Sequence, residues 1–175
     1  MSKAVFGRPQ PHEYAESHAL YLSKVPGDDV LSFLQQQLDS TLVLFRPLDE
    51  ATGNRRYEPS KWSVKEVLGH IVDSERVFAY RAVTFARGDR SPLPGFDQDV
   101  WAQNTNYAQL PVADIAAEFE SVRRSTILLF KHLAPEAWDR RGIANNKEIT
   151  TRAIAYSIAG HAQHHLEILR ERYHV

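Results

Sequence analysis

The stretch Ile154-Ala155-Tyr156-Ser157-Ile158-Ala159-Gly160-His161-Ala162-Gln163-His164-His165-Leu166-Glu167-Ile168 decides the fold. Its inward positions Ile154, Ile158, His161, His165 and Ile168 step by +4, +3, +4 and +3, the recurrence of one helical face. Two histidines therefore stand where a helical seam normally carries leucine. The segment starts near Thr151 and forms the last of four helices. Nine prolines leave four proline-free windows, 27–46, 60–91, 112–134 and 136–175, each long enough for one long helix.

The first window takes Asp28 or Asp29 as N-cap and runs Val30, Phe33, Leu34, Leu38, Leu42, Phe45 and Leu48 at three-and-four spacing. The second opens on Ser63-Val64-Lys65-Glu66, a capping box in which hydroxyl and carboxylate each satisfy a backbone N–H of the first turn, and continues to Gly88. The third runs from Val112 through Ile115, Phe119, Val122, Thr126 and Leu129 to Leu133 before Pro135. Strand-like alternation is confined to scraps such as Glu148-Ile149-Thr150, so no sheet is expected and the class is all-α. The connection from Gly88 to Pro111 is of about 24 residues and can reach ~75 Å, whereas a 22-residue helix spans only ~33 Å. It is long enough to be a crossover joining parallel second and third helices.

Over 175 residues, 21 Lys plus Arg face 22 Asp plus Glu, with 43% hydrophobic and 25% charged residues. That suits one globular domain over 1–175, with residues 1–27 as an N-terminal extension packing on the bundle. A net charge of −1 gives no field for nucleic acid or an anionic membrane. No apolar run approaches the ≥ 18 or so residues of a membrane span, and the first twelve residues have no apolar signal core, so the expected location is cytoplasmic. The chain has no cysteine, so any thiol chemistry needs a thiol from outside.

His161 and His165, four apart on a helix, project from one face near enough for both to reach one ion at about 2.0–2.1 Å. Eight histidines in 175 residues give roughly 0.4 such pairs by chance, and the spacing also suits two semi-buried, hydrogen-bonded histidines. Burying two unpaired imidazoles on the seam is costly, which argues for a metal. A third ligand must come from another helix. His70 lies at matching depth if the second and fourth helices are antiparallel, although it sits about 90° from the centre of its own apolar stripe. Among inward polar positions, Glu75 and Arg123 can form a partly buried pair, with Glu75 able to orient an imidazole or shuttle a proton. Phe96, Asp97, Asp99, Trp101 and Tyr107 of the crossover can roof the site. Gly69 and Gly160 each precede a candidate ligand; at Gly69, close approach of the N-terminal segment or of a partner subunit would account for the glycine.

The run Lys61-Trp62-Ser63-Val64-Lys65-Glu66-Val67-Leu68-Gly69-His70 with Asp73-Ser74-Glu75, and the later Ala159-Gly160-His161-Ala162-Gln163-His164-His165-Leu166-Glu167, resemble the two hallmark segments of the DinB/YfiT-like superfamily. The resemblance extends through Phe96-Asp97-Gln98-Asp99 and Trp101, Glu118-Phe119 to Arg123-Arg124, and Arg152 to Tyr156, nearly the whole chain. It implies a four-helix bundle of up-down-down-up topology with a divalent ion, zinc first and nickel second, held by His70, His161 and His165. His164 would be a neighbour only. Relatives often carry an acid directly after the first histidine of the pair; this chain departs from that pattern with Ala162 and has no carboxylate there. The resemblance further implies a metal-dependent enzyme acting on a small-molecule substrate, by hydrolysis or by S-transfer with a low-molecular-weight thiol cosubstrate. A non-catalytic stress-response or ligand-binding bundle with a structural metal is the alternative, and a homodimer is an open expectation.

Overall fold

The computed structural model describes residues 7–175. The long helices are α2 (Val30–Phe45), α4 (Val64–Ala86), α6 (Val112–Lys131) and α7 (Thr151–Tyr173), with short helices α1 (Ala19–Ser23), α3 (Glu50–Gly53) and α5 (Gln98–Gln103). A hairpin of β1 (Arg141–Ala144) and β2 (Lys147–Thr150) precedes α7. Caps set the helix starts. Asp29 accepts from the Ser32 amide, Thr150 accepts from the Ala153 amide, and Ser63 and Glu66 close the expected capping box, accepting from each other's amides at 3.2 and 2.6 Å. α2 ends at Phe45, short of Leu48, and α6 ends at Lys131, short of Leu133.

Contacts along the helices fix their directions. The Tyr173 hydroxyl at the end of α7 donates to the carbonyl of Trp62, just before α4, and Arg140, ahead of α7, donates to the carbonyl of Ala86 at the far end of α4, so these two helices are antiparallel. Arg76 pairs with Glu118 and Arg123 with Glu75, while Val112 at the start of α6 and Lys65 at the start of α4 both lie against Gly53, so α4 and α6 are parallel. Arg46 meets Glu120 and Gln37 meets Arg123, making α2 antiparallel to α6. The order is up-down-down-up, with the crossover between α4 and α6.

The apolar faces form two cores stacked along the bundle. One gathers Leu34, Phe85, Phe130, Trp138 and Tyr156; the other gathers Leu38, Phe45, Leu68, Phe119 and Leu169. Between them the four helices place Gln37, Glu75, Arg123 and His161, all buried. A polar layer thus crosses the middle of an apolar bundle, a costly arrangement unless each group is paired.

The hairpin departs from the expected absence of a sheet. Asn145 and Asn146 hold φ values of 50° and 60°, the backbone of a tight two-residue turn, and β1 pairs antiparallel with β2. β1 buries Gly142 and Ala144 and exposes Ile143, so its alternation runs opposite to the usual apolar-in pattern and leaves no hydrophobic period to read. The Leu93 amide donates to the Ile143 carbonyl and the Asn145 amide to the Leu93 carbonyl, which ties the crossover to the hairpin.

The glycines before the histidines have different causes. A Cβ on Gly160 would lie 1.9 Å from the Tyr21 carbonyl oxygen, so the N-terminal segment sits directly on α7 there. At Gly69 the neighbour is the ring of Tyr107, 2.2 Å from where a Cβ would stand, so the crossover, and not the N-terminal segment, fills that space. Residues 1–6 of the extension lie outside the described residues.

A candidate metal centre

Antiparallel α4 and α7 bring His70, His161 and His165 together. Their ring centroids are 4.6 to 4.9 Å apart, and one nitrogen from each ring falls within 4.8 Å of the other two. The Nε2 atoms of His70 and His161 face each other at 3.1 Å. Two nitrogens bound tetrahedrally to one ion at 2.0–2.1 Å would stand about 3.3 Å apart, so the spacing suits a shared cation as well as a single hydrogen bond. His70 is 7% and His161 6% exposed, and His165 is half-buried. The flank position of His70 on its own stripe is covered by Trp62, whose ring lies 4.9 Å away. Tyr21 at 5.3 Å and Phe78 at 5.8 Å stand edge-on to His161. His164 is turned outward, 5.8 Å from the ring of Tyr21.

Burial lowers the pKa of His70 to about 4, and burial together with His70 and His164 lowers that of His165 to about 3. His161 is pushed well below the ordinary range by burial first and then by His165 and His70. The three rings are neutral at pH 7, the form that ligates a metal without first losing a proton. Beyond the cluster, His18 falls to about 4 through burial, Lys147 and Arg81. In the unfolded chain these rings take up protons as pH falls below about 6.5, while in the folded chain His18 and His70 resist until about pH 4 and His165 until about pH 3. Stability of the metal-free protein is therefore complete above about pH 6.5 and is lost on acidification, by up to about 1.4 kcal/mol per pH unit for each ring. Urea unfolding of EDTA-treated protein between pH 7.5 and 5 should show the midpoint moving steadily down. A flat midpoint would mean that the rings are not held neutral.

Two hollows reach the cluster. A narrow one of about 10 Å³ is bounded by His70, Asp73, Phe96, Trp101 and Tyr107, and the Tyr107 hydroxyl donates to Asp73 at 3.0 Å. A wider cleft of about 290 Å³ opens on His161. Phe96 lines both, so the crossover covers the cluster with Phe96, Trp101 and Tyr107. Asp97 instead caps α5 by accepting from the Asp99 and Val100 amides, and Asp99 lines neither hollow.

Glu75 and Arg123 form a fully buried pair, 2% and 0% exposed. Nε of Arg123 donates to both carboxylate oxygens at 2.9 and 3.0 Å, and Nη2 donates to Oε2 at 2.8 Å. Among the described residues, the hydrogen bonds of Glu75 all go to Arg123. Nη1 of Arg123 donates to Gln37 Oε1 at 2.7 Å, and Gln37 Nε2 donates to the Ala159 carbonyl at 3.1 Å, two residues before His161. Ala162 is buried in the second core.

Tyr21, His18 and Arg81 belong to the site without being legible as such in the sequence. Tyr21 and His18 lie in the proline-rich extension outside any long periodic window, and an arginine at the edge of a helical stripe reads as surface. Phe78, by contrast, stands eight residues after His70 on the apolar stripe of α4 and could have been assigned to the site.

Comparison with known proteins agrees with this architecture. A curated protein of Oceanobacillus iheyensis, named "Putative metal-dependent hydrolase", is 28% identical over 148 residues, covering 82% of this chain and 84% of its own. A solved structure, YfiT from Bacillus subtilis, superposes with a TM-score of 0.67 at 16% identity over 93% of this chain and 91% of its own; it is described as a probable metal-dependent hydrolase with an unusual four-helix bundle topology. That likeness establishes the shared fold. The family model described as the DinB superfamily matches residues 34–169, from within α2 almost to the end of α7 and across all three histidines, and the chain belongs to that superfamily.

Proposed function

We propose that His70, His161 and His165 hold a divalent ion and that the protein is a metal-dependent enzyme acting on a small molecule admitted through the cleft beside His161. The observation that supports this most directly is the convergence of three buried or half-buried imidazole nitrogens, within 4.8 Å, from two antiparallel helices. A set of three neutral nitrogen donors without carboxylate or thiolate suits zinc, with nickel second, better than magnesium or calcium. An ion held by three protein ligands keeps an open position and would lower the pKa of a water or thiol that reaches it.

The chain's own residues do the rest. Trp62, Tyr21 and Phe78 pack around the His70 and His161 imidazoles and limit the water that reaches them. The Arg123–Gln37 chain fixes the α7 backbone just ahead of His161. With no cysteine available, a thiol nucleophile would have to be a cosubstrate, and water needs none. The names carried by the relatives favour hydrolysis as the first reaction to test. A cytoplasmic setting belongs to this reading; among the described residues no helix is long and apolar enough to cross a membrane.

The experiment is turnover by zinc-reconstituted against EDTA-treated protein. One arm uses a panel of small esters and amides; the other uses a low-molecular-weight thiol with 1-chloro-2,4-dinitrobenzene, followed by thiol loss. Metal-dependent turnover in either arm is expected and identifies the nucleophile. If metal-loaded protein is inert in both while chelation sharply lowers its melting temperature, the ion is structural and the enzyme reading fails.

A further inference from the structure

The cleft that opens on His161 carries more positive charge than a metal site requires. Arg81, near the C-terminal end of α4, is 7% exposed and has no acidic partner among the described residues. Its one hydrogen bond to protein there runs from Nη2 to the Pro94 carbonyl at 2.8 Å. Burial alone lowers its pKa, as expected of a guanidinium with no carboxylate nearby. The contrast with Arg123 is direct, since that arginine, buried more deeply still, is chelated by Glu75.

A cation this enclosed without a counter-charge is unfavourable, so an arginine kept in this state points to an anion that arrives from outside. The rest of the wall agrees. Lys147, from the hairpin, reaches the same cleft and donates to Ser17 Oγ at 3.0 Å, and His18 stands beside it. Among the described residues no carboxylate lines the cleft and no hydrogen-bond partner meets the buried Ser74 hydroxyl on its wall. The ring of Phe78 lies between the two chemistries, 5.8 Å from the His161 ring and 5.7 Å from the Arg81 guanidinium carbon.

We propose that this cleft is an oxyanion site: Arg81, assisted by Lys147, binds the carboxylate or phosphate of a small anionic substrate and so presents the substrate's reacting group at His161. The inference deepens the metal-dependent reading and rests on it for the second half of that statement. Guanidinium geometry suits a planar or tetrahedral oxyanion held by two parallel N–H donors, and the Phe78 ring supplies the apolar spacer between anchor and reacting end. The hairpin and crossover, joined through Leu93, hold Lys147 and Phe96 over the same opening.

The test is calorimetric titration of zinc-reconstituted and of EDTA-treated protein with succinate, with inorganic phosphate and with neutral succinamide. Binding of succinate or phosphate, at about 1 mM or tighter, is expected in both forms, with none of succinamide. The anion that binds more tightly names the substrate's group. Arg81→Gln should weaken anion binding at least ten-fold while zinc content stays at the wild-type level, and Arg81→Lys should recover only part of the loss. Lys147 is exposed, so Lys147→Gln tests the site without threatening the fold and should weaken binding about three-fold. Anion binding unaltered in both Arg81→Lys and Lys147→Gln, equal binding of succinamide, or no anion binding to zinc-loaded protein would overturn the oxyanion site and leave the metal reading standing. Arg81-dependent anion binding in protein that cannot be loaded with zinc would do the reverse.

Discussion

Protein purified without a histidine tag and dialysed should carry about one divalent ion per chain, and His161→Ala should carry almost none. Of the three candidate ligands His161 is the most enclosed, with His70 Nε2 facing its own Nε2 at 3.1 Å and Tyr21 and Phe78 edge-on to its ring. Removing it leaves two imidazoles, one protein donor short of the set. Changing a group that only supports a ligand typically costs 10–100-fold in metal affinity, so loss of a ligand should cost at least about 100-fold. His164→Ala is the control: it sits next in sequence to His165, its ring lies 5.2 Å from that of His165, and it is turned toward Tyr21 and solvent. That variant should keep the ion. Elemental analysis of the three proteins decides the matter, and equal metal in wild type and His161→Ala would remove the site on which the enzymatic reading stands.

The long helices were legible because proline spacing, caps and a three-and-four apolar period all mark the same segments, and the capping box at Ser63 and Glu66 is present as the sequence suggests. The antiparallel relation of α4 and α7 was also within reach, since it is the one arrangement that puts His70 level with the histidine pair. What escaped has a common physical character. The hairpin turns on Asn145 and Asn146, β1 buries glycine and alanine, and β2 buries only the adjacent pair Ile149 and Thr150, so no alternating hydrophobic signal marks it. The contact of Tyr21 with Gly160 is made by backbone, which no side-chain pattern encodes. Arg81 is identified by what it lacks among the described residues, an acidic partner, and that lack is visible in three dimensions alone.

The Glu75–Arg123 pair leads to the largest expected effect on stability. Arg123→Met conserves much of the side-chain volume but leaves a carboxylate, 2% exposed, without the three hydrogen bonds that now satisfy it, and strands Gln37 Oε1 as well. Breaking a buried pair from one side costs about 3–5 kcal/mol, which for a chain of this size lowers the melting temperature by roughly 6–20 °C. Removing both charges, as Arg123→Met with Glu75→Leu, should return most of that loss, because two well-packed apolar side chains often do as well as a buried ion pair. Thermal unfolding of the single and double variants measures the difference, and a single variant as stable as the double would show that the carboxylate had found water or another donor. Metal content in the double variant then separates stability from positioning. Arg123 links Gln37, and through it the Ala159 carbonyl, to Glu75 of α4, so a double variant that folds well but binds its ion more weakly identifies the pair as the brace that sets α7 at His161.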